Sequence, residues 1–344
     1  MKYLRKRWSV MCAVLLGFAA TLSSGCQVEQ DVKVLRLAHT LDQEHVVHKA
    51  MALMGERLEH YSAGSMRIDI YSGGQLGNER ELVELLQIGS LAMTKVSASP
   101  LEGFVPAMQV FSIPYIFDDN AHFWRVLDSD IGKGLLKEIE VARLFGLGYY
   151  DAGSRSFYSS NTRIETPADL KGKKFRVMNS QTAVKMVEAL GGAATPIDWG
   201  ELYTAIQQGV VDGAENNPPS FYLSRHYELS QYYTLDEHTA VPDVLIMSLS
   251  VWRDLTPQQQ QWLQQAANDS IDYQKLAWHQ ASEEALAAVK AAGVEVIYPD
   301  KTPFREAVAP FYQDMLQTQI GPLLQGIAAL SENAAKPQQE RTNE

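Results

Sequence analysis

Cysteine is almost missing from this 344-residue chain: Cys12 and Cys26 are its two thiols. Cys12 lies in an N-terminal segment that reads as a removable leader. Cys26 is then the sole thiol of the mature chain, which excludes an intramolecular disulfide. Positive charge is also in short supply. Lys and Arg total 30 against 41 Asp and Glu, for a net charge of −11. Nucleic-acid phosphates would be repelled by such a chain, and no basic stripe appears along it, so a nucleic-acid partner is not expected.

Catalytic patterns are missing too. There is no G-x-S-x-G elbow, no Walker loop and no H-E-x-x-H, and Gly146-Leu-Gly148 lacks the third glycine of a dinucleotide turn. His45 and His48 could share one helical face as a metal site requires, but no third ligand accompanies them, and a solvated helix face is the better reading. Without a catalytic constellation the chain reads as a binder, not an enzyme, and neither metal nor cofactor is expected.

What is present starts with an export signal. Lys2, Arg5, Lys6 and Arg7 precede the apolar stretch Trp8 to Ala20, which is too short for a comfortable membrane span. Leu22-Ser-Ser-Gly-Cys26 follows and resembles a bacterial lipoprotein processing site, although Leu22 lies four residues before the cysteine and three is commoner. The expectation is a signal peptide over 1–25 and a lipid anchor at Cys26, with ordinary cleavage nearby as the alternative. Removing the leader's four basic residues leaves 26 against 41, a mature charge of −15. Hydrophobic content of 46% and charged content of 21% are ordinary for a soluble globular protein, and the length suits two domains.

The mature chain alternates strand-like and helix-like runs. Strands are expected over Val34–His39, Met66–Tyr71, Leu91–Ser97, Leu144–Tyr149, Lys173–Met178 and Ala194–Ile197, with helices between them. Asn78 caps the helix from Glu79 to Ile88, and one helix is expected from Asn120 towards Arg143. Thr256-Pro257 opens a long helix to about Ala292, and residues 331–344 read as a disordered tail. Such β-α-β alternation argues for sheets covered by helices on both faces.

One stretch concentrates polar groups: Gly209-Val-Val-Asp-Gly-Ala-Glu-Asn-Asn-Pro-Pro-Ser-Phe-Tyr222. Gly209 fits the left-handed stop of a helix, Val210 and Val211 look buried, and Asp212-Gly213 reads as a turn. Glu215, Asn216 and Asn217 then stand together before Pro218-Pro219, which can open a helix. Donors and acceptors held at a strand-to-helix junction suit a small polar ligand; an N-capping loop with Asn217 as the cap is the competing reading.

Several segments in one order carry a family resemblance: Leu35-Arg-Leu-Ala-His-Thr40, Gly74-Gln-Leu-Gly77, Ile113-Pro-Tyr-Ile-Phe117, Pro167-Ala-Asp-Leu-Lys-Gly-Lys-Lys-Phe-Arg-Val177, Thr195-Pro196 with Glu201-Leu-Tyr203, and Val211-Asp-Gly-Ala-Glu-Asn216. Together they resemble the DctP-type solute-binding proteins of TRAP transporters, family 7, over roughly Val34 to Gly321. The resemblance implies an α/β, two-domain, periplasmic-binding-protein-like clamp with hinge-crossing strands and a long bracing helix. Domain I would comprise 33–153 plus 242–281 and domain II 154–241 plus 282–330, hinged near Gly153 and Val241. It also implies a periplasmic location and integral-membrane small and large transporter subunits as partners.

By the same resemblance Arg176 pairs bidentately with a ligand carboxylate, Arg155 flanks it, Asn216 and Asn179 add polar contacts and Trp199 forms an aromatic wall. A guanidinium suits that task because its planar fork matches two carboxylate oxygens and stays charged when buried. The opposing half offers His39, Thr40, Glu79, Lys95 and Ser97. An acceptor such as Glu79 suits sugar hydroxyls and is a poor partner for a second carboxylate. The Glu215-to-Tyr222 run looks most like members that bind sugar acids, particularly hexuronates. A C4-dicarboxylate, with Lys95 or His39 serving its second carboxylate, is the runner-up, and an exported ligand sensor without a transport role is a further alternative.

Overall fold

The computed structural model of the chain describes residues 32–335. The leader, Cys26 and residues 336–344 lie outside them. Eleven strands are found among the described residues, divided between two sheets. The first sheet contains β1 (Lys33–Ala38), β2 (Met66–Tyr71), β3 (Met93–Ser97), β4 (Leu144–Tyr150) and β10 (Asp243–Ser248), in the order β2-β1-β3-β10-β4. The second contains β5 (Ser154–Ser159), β6 (Lys174–Val177), β7 (Ala193–Pro196), β8 (Gly213–Asn216), β9 (Tyr232–Ala240) and β11 (Glu295–Ile297), in the order β11-β9-β5-β8-β6-β7. β1 runs parallel to β3, and β6 parallel to β7 and β8, whereas β10 and β5 run antiparallel to their neighbours. The chain crosses from the first sheet to the second at residues 151–153, and returns at Val241-Pro242, where proline lacks the N–H a continuing ladder needs.

Strand β10 explains why its sequence is continuously apolar. All six residues are buried. Side chains alternate across a strand, so Val244 and Ile246 join one core cluster while Leu245 and Met247 join another on the opposite face.

The long helix, Pro257–Ala291, begins with Pro257 at its first turn and a reciprocal capping box between Thr256 and Gln259. Its buried residues, from Leu263 to Val289, keep to helical spacing and form one mainly apolar stripe interrupted by Ser270 and Gln274. Leu263, Ala266 and Ala267 pack with Leu35, Leu37 and Met51 of the first half, and Val289 packs with Tyr158 and Tyr233 of the second sheet. At 35 residues the helix is about 52 Å long, enough to lie along both. It also grips the first crossing: Gln274 accepts from the Asp151 N–H (2.8 Å) and donates to the Asp151 carbonyl (2.7 Å). Gly153 follows at φ +57°, where a Cβ would stand 2.9 Å from the Trp278 indole nitrogen. The crossing therefore needs glycine for both backbone conformation and space.

The structure departs from the sequence reading at four places. The single helix expected over 120–143 is two, Asn120–Asp128 and Asp130–Glu138, because Ser129 turns extended and its hydroxyl caps the second. Val210 is half exposed rather than buried, while Val211 is buried. Gly213 is not a turn residue but the first of β8, packed so tightly on β5 that a Cβ would lie 2.0 Å from the Tyr158 carbonyl oxygen. The tail expected to be disordered from Ser331 is helical to Ala335, within the helix Gly321–Ala335. That helix leans on the Asn120–Asp128 helix, with the Ile327 carbonyl 3.0 Å from His122 Nε2.

Candidate functional site

A cavity lies between the two sheets, at the ends of strands from both. Parallel α/β strands expose their last residues and the following helix N-termini at their carboxyl ends, so polar side chains placed there meet without disturbing the core. Lys95 and Ser97 come from the end of β3, and Glu79 from the first turn of the helix Glu79–Gln87. Thr40 follows β1. From the other sheet come Arg155 at the start of β5, Arg176 in β6, Asn216 at the end of β8 and Trp199 at the start of the helix Trp199–Gln207. All eight line this cavity.

The two arginines have different surroundings. Arg155 is matched in charge and nearly filled, with four of its five N–H groups engaged: Nε bonds Glu215 Oε2, Nη2 bonds Glu215 Oε1 (3.0 Å) and the Glu215 carbonyl (2.7 Å), and Nη1 bonds Asn216 Oδ1 (3.0 Å). Arg176 is as deeply buried, at 4% exposure, but only its Nε is engaged, donating to the Ile197 carbonyl at 2.7 Å. Its guanidinium lies 5.9 Å from the Trp199 ring centre. Among the described residues no carboxylate comes within ion-pair distance of it. Burial pulls its pKa down, Glu215 pulls it up and Arg155 pushes it down again, for a net downward direction. This cation gains from an incoming anion.

Glu215 sits behind the cavity wall, fully buried. Burial pushes its carboxyl up, but the charge and hydrogen bonds of Arg155, with the nearby His238 imidazole, outweigh that and hold it down at about 2. His238 Nδ1 bonds Asp236 at 2.7 Å and Nε2 lies 3.6 Å from Glu215. Burial lowers the His238 pKa, but Asp236 first and then Glu215 raise it, to about 9. Arg155, Glu215, His238 and Asp236 thus form a charge-balanced buried chain.

The first-sheet wall is built on another ionic cluster. Lys95 Nζ donates to Asp243 Oδ1 (2.9 Å) and Glu79 Oε1 (3.3 Å). Ser97 gives its N–H to Glu79 Oε1 (3.0 Å) and its hydroxyl to Asp243 Oδ1 (3.0 Å). Burial opposes the Lys95 charge, but Asp243 and then Glu79 restore it and raise its pKa.

Three residues anticipated for the site have other places, and a fourth lines the cavity with its polar atoms already engaged. His39 is buried away from the cavity: its Nδ1 accepts from the Leu41 N–H, so Nε2 carries the proton and faces His48 Nδ1 at 2.9 Å. Asn179 is exposed beyond β6 and does not line the cavity. Glu215 acts through Arg155. Asn217 touches the cavity, but its Oδ1 caps the helix Pro218–Leu223 through the Ser220 N–H (2.9 Å) and its Nδ2 bonds the Ala152 carbonyl (2.9 Å), so both ends are committed. His45 is buried against Ser220 rather than solvated, and among the described residues no three ligating side chains converge as a metal site.

Sequence reasoning missed Asp243, a cavity residue at 4% exposure. A signal existed: it is the one charge, after Pro242, at the head of the otherwise apolar run Val244–Met247. A second hollow near Tyr115 and Arg305 is lined by Asp118, Asp119, Glu237 and Lys301. Its Lys301 is already paired with Glu237, so it presents no comparable unmatched buried charge.

Comparison with known proteins agrees with this architecture. The model of the bacterial extracellular solute-binding proteins, family 7 (DctP), matches residues 37–319. The uncharacterized protein YiiZ of Salmonella typhimurium is 39% identical over 304 residues, 88% of this chain and 93% of that one. A TRAP periplasmic solute-binding protein from a Bradyrhizobium species, solved with α/β-D-galacturonate, is 37% identical with a TM-score of 0.83, covering 86% of this chain and 99% of the other. One from Pseudomonas putida F1, solved with D-glucuronate, is 35% identical with the same TM-score, covering 86% and 97%. The two-sheet α/β architecture is therefore the periplasmic-binding-protein fold of those structures, and the chain belongs to the extracellular solute-binding proteins of family 7.

Proposed function

We propose that this chain is the extracytoplasmic receptor of a TRAP transporter, closing on a hexuronate such as galacturonate or glucuronate and delivering it to small and large membrane subunits. It works as a binder without a catalytic step. The observation that carries the reading is Arg176, a buried guanidinium with both Nη groups unpaired, in a cavity whose other wall is rich in acceptors. A carboxylate is the ligand group that matches such a fork. Asn216 Nδ2 has no partner among the described residues and can donate to the same end of the ligand. The bound galacturonate and glucuronate of the structural relatives support the same class.

The clamp's two lobes would be built on the two sheets, hinged at 151–153 and 241–242 and braced by the long helix. Across the cleft, Asn78 Nδ2 donates to Asp198 Oδ2 at 2.8 Å. A C4-dicarboxylate fits less well, since Lys95 is already shared by two carboxylates and His39 faces elsewhere. Export by the leader and lipidation at Cys26 belong to the same reading, and the intact mass of the mature protein decides the latter.

A thermal-shift screen with uronates, aldonates, C4-dicarboxylates and sialic acid tests the class. Ligand at one hundred times its dissociation constant adds about 2.7 kcal/mol of apparent stability. A shift with a uronate is expected; a shift with succinate or malate and none with any uronate overturns the reading.

A further inference from the structure

We propose that Asp243, acting with Glu79, is the residue pair that restricts this site to ligands with a single carboxylate; the inference rests on the sugar-acid reading above. The first-sheet wall carries two carboxylates, Glu79 and Asp243, and one ammonium, Lys95. Two negative charges against one positive leave that wall at −1. On the second-sheet side Arg155 is matched by Glu215, so Arg176 is the one unmatched cation. The cavity therefore has one place for an anion and an acidic surface elsewhere.

The hydrogen-bond pattern points the same way. Lys95 and Ser97 both bond the Oδ1 atom of Asp243, and Glu79 receives its protein donors on Oε1 alone. Asp243 Oδ2 and Glu79 Oε2 have no donor among the described residues, and neither is sealed from the cavity that both side chains line. Each can accept a bond from a hydroxyl. A ligand carboxylate in the same position has no proton to donate and meets two like charges, a strongly unfavourable arrangement where water is excluded. Lys95 does not relieve this, because it is 2% exposed and held between Asp243 and Glu79 rather than aimed freely at the ligand. Asp243 thus prevents Lys95 from acting as a second carboxylate clamp.

The test is calorimetric titration of wild type, Asp243→Asn and Glu79→Gln with galacturonate, galactonate and galactarate. Galactonate and galactarate are both open-chain acids and differ in carrying one or two carboxylates, so ring opening cancels from their ratio. Removing one negative charge frees Lys95 to meet a second carboxylate. Galactarate is expected to gain at least about tenfold in affinity relative to the monoacids in Asp243→Asn. If Asp243→Asn does not fold, as its melting would reveal, Glu79→Gln carries the comparison. A merely structural role for Asp243 would weaken all three ligands in proportion. An unchanged relative affinity, within about threefold, overturns the inference, as does galactarate going undetected by wild type and both variants. Failure of wild type to bind any of these acids would instead refute the sugar-acid reading itself.

Discussion

Replacing Arg176 by alanine is the sharpest perturbation the site offers. The side chain is 4% exposed and fixed at Nε by the Ile197 carbonyl, with Trp199 beside its guanidinium. Among the described residues lining the cavity it is the cation without a carboxylate partner, and both its Nη groups are free. A ligand carboxylate that gives up water to enter and then finds no partner leaves a buried charge unpaired, at a cost of about 2–5 kcal/mol. That is a loss of about thirty- to several-thousand-fold in affinity. Arg176→Lys should recover little, because an ammonium keeps the charge but loses the two parallel bonds, and cannot reach Ile197 with the same geometry. The apo protein should fold normally, since no carboxylate of the chain loses its partner. Arg155 provides the contrast. Arg155→Ala strands Glu215 in the interior, and breaking a buried pair in this way costs about 3–5 kcal/mol of stability. Calorimetry and thermal melts of both variants against the identified uronate separate the roles: Arg176→Ala loses affinity and keeps its melting temperature, whereas Arg155→Ala loses melting temperature first. Affinity of Arg176→Ala within about threefold of wild type would refute the assignment.

Other outcomes follow from the same geometry. Glu79→Gln should weaken uronate binding by about tenfold or more, from the usual value of a bond to a charged group, while short monocarboxylates change little; equal uronate affinity in titration would remove Glu79 from the site. Asn78→Asp keeps the helix cap but sets a carboxylate against Asp198 across the cleft, so affinity should drop roughly fivefold at low salt and recover at high salt. No change at low salt would mean that this contact does not persist in the bound form. Stability should fall on both sides of about pH 6.5. The His238 pKa is raised to about 9, so its contribution is complete below 6.5 and is lost as pH rises through 9. His39, His45 and His226 are lowered, foremost by burial, to about 3, 4 and 3, so the stability they contribute as neutral groups is present above 6.5 and is lost as pH falls. Melting curves from pH 4 to 10 check both limbs, and a His238→Gln variant that keeps the alkaline limb would refute its source.

Local rules made much of this protein legible from sequence. The 2-residue period, Asn78 before Glu79 and Thr256-Pro257 each act over a few residues, and the elements they announce appear within one to three residues of their expected ends. Arg155, Arg176, Trp199, Asn216, Glu79, Lys95, Thr40 and Ser97 were likewise singled out from sequence and the family resemblance, and the fold brings them to one cavity. Tertiary structure alone decided which groups are spent and which are free. Residue type does not distinguish Arg155 from Arg176, and only the family resemblance assigned them different parts; the physical difference is that Glu215 on β8 reaches the first and no carboxylate among the described residues reaches the second. Asp243 is 164 residues from Glu79 and becomes its partner around Lys95 only because the returning strand pairs with β3 in the register Asp243 to Ser97. His39 was lost from the site because the Leu41 amide and His48 hold its ring towards the protein. Residue type and spacing determine local conformation, but whether a buried charge is already neutralised depends on contacts between distant strands, and on this depends what the cavity can bind.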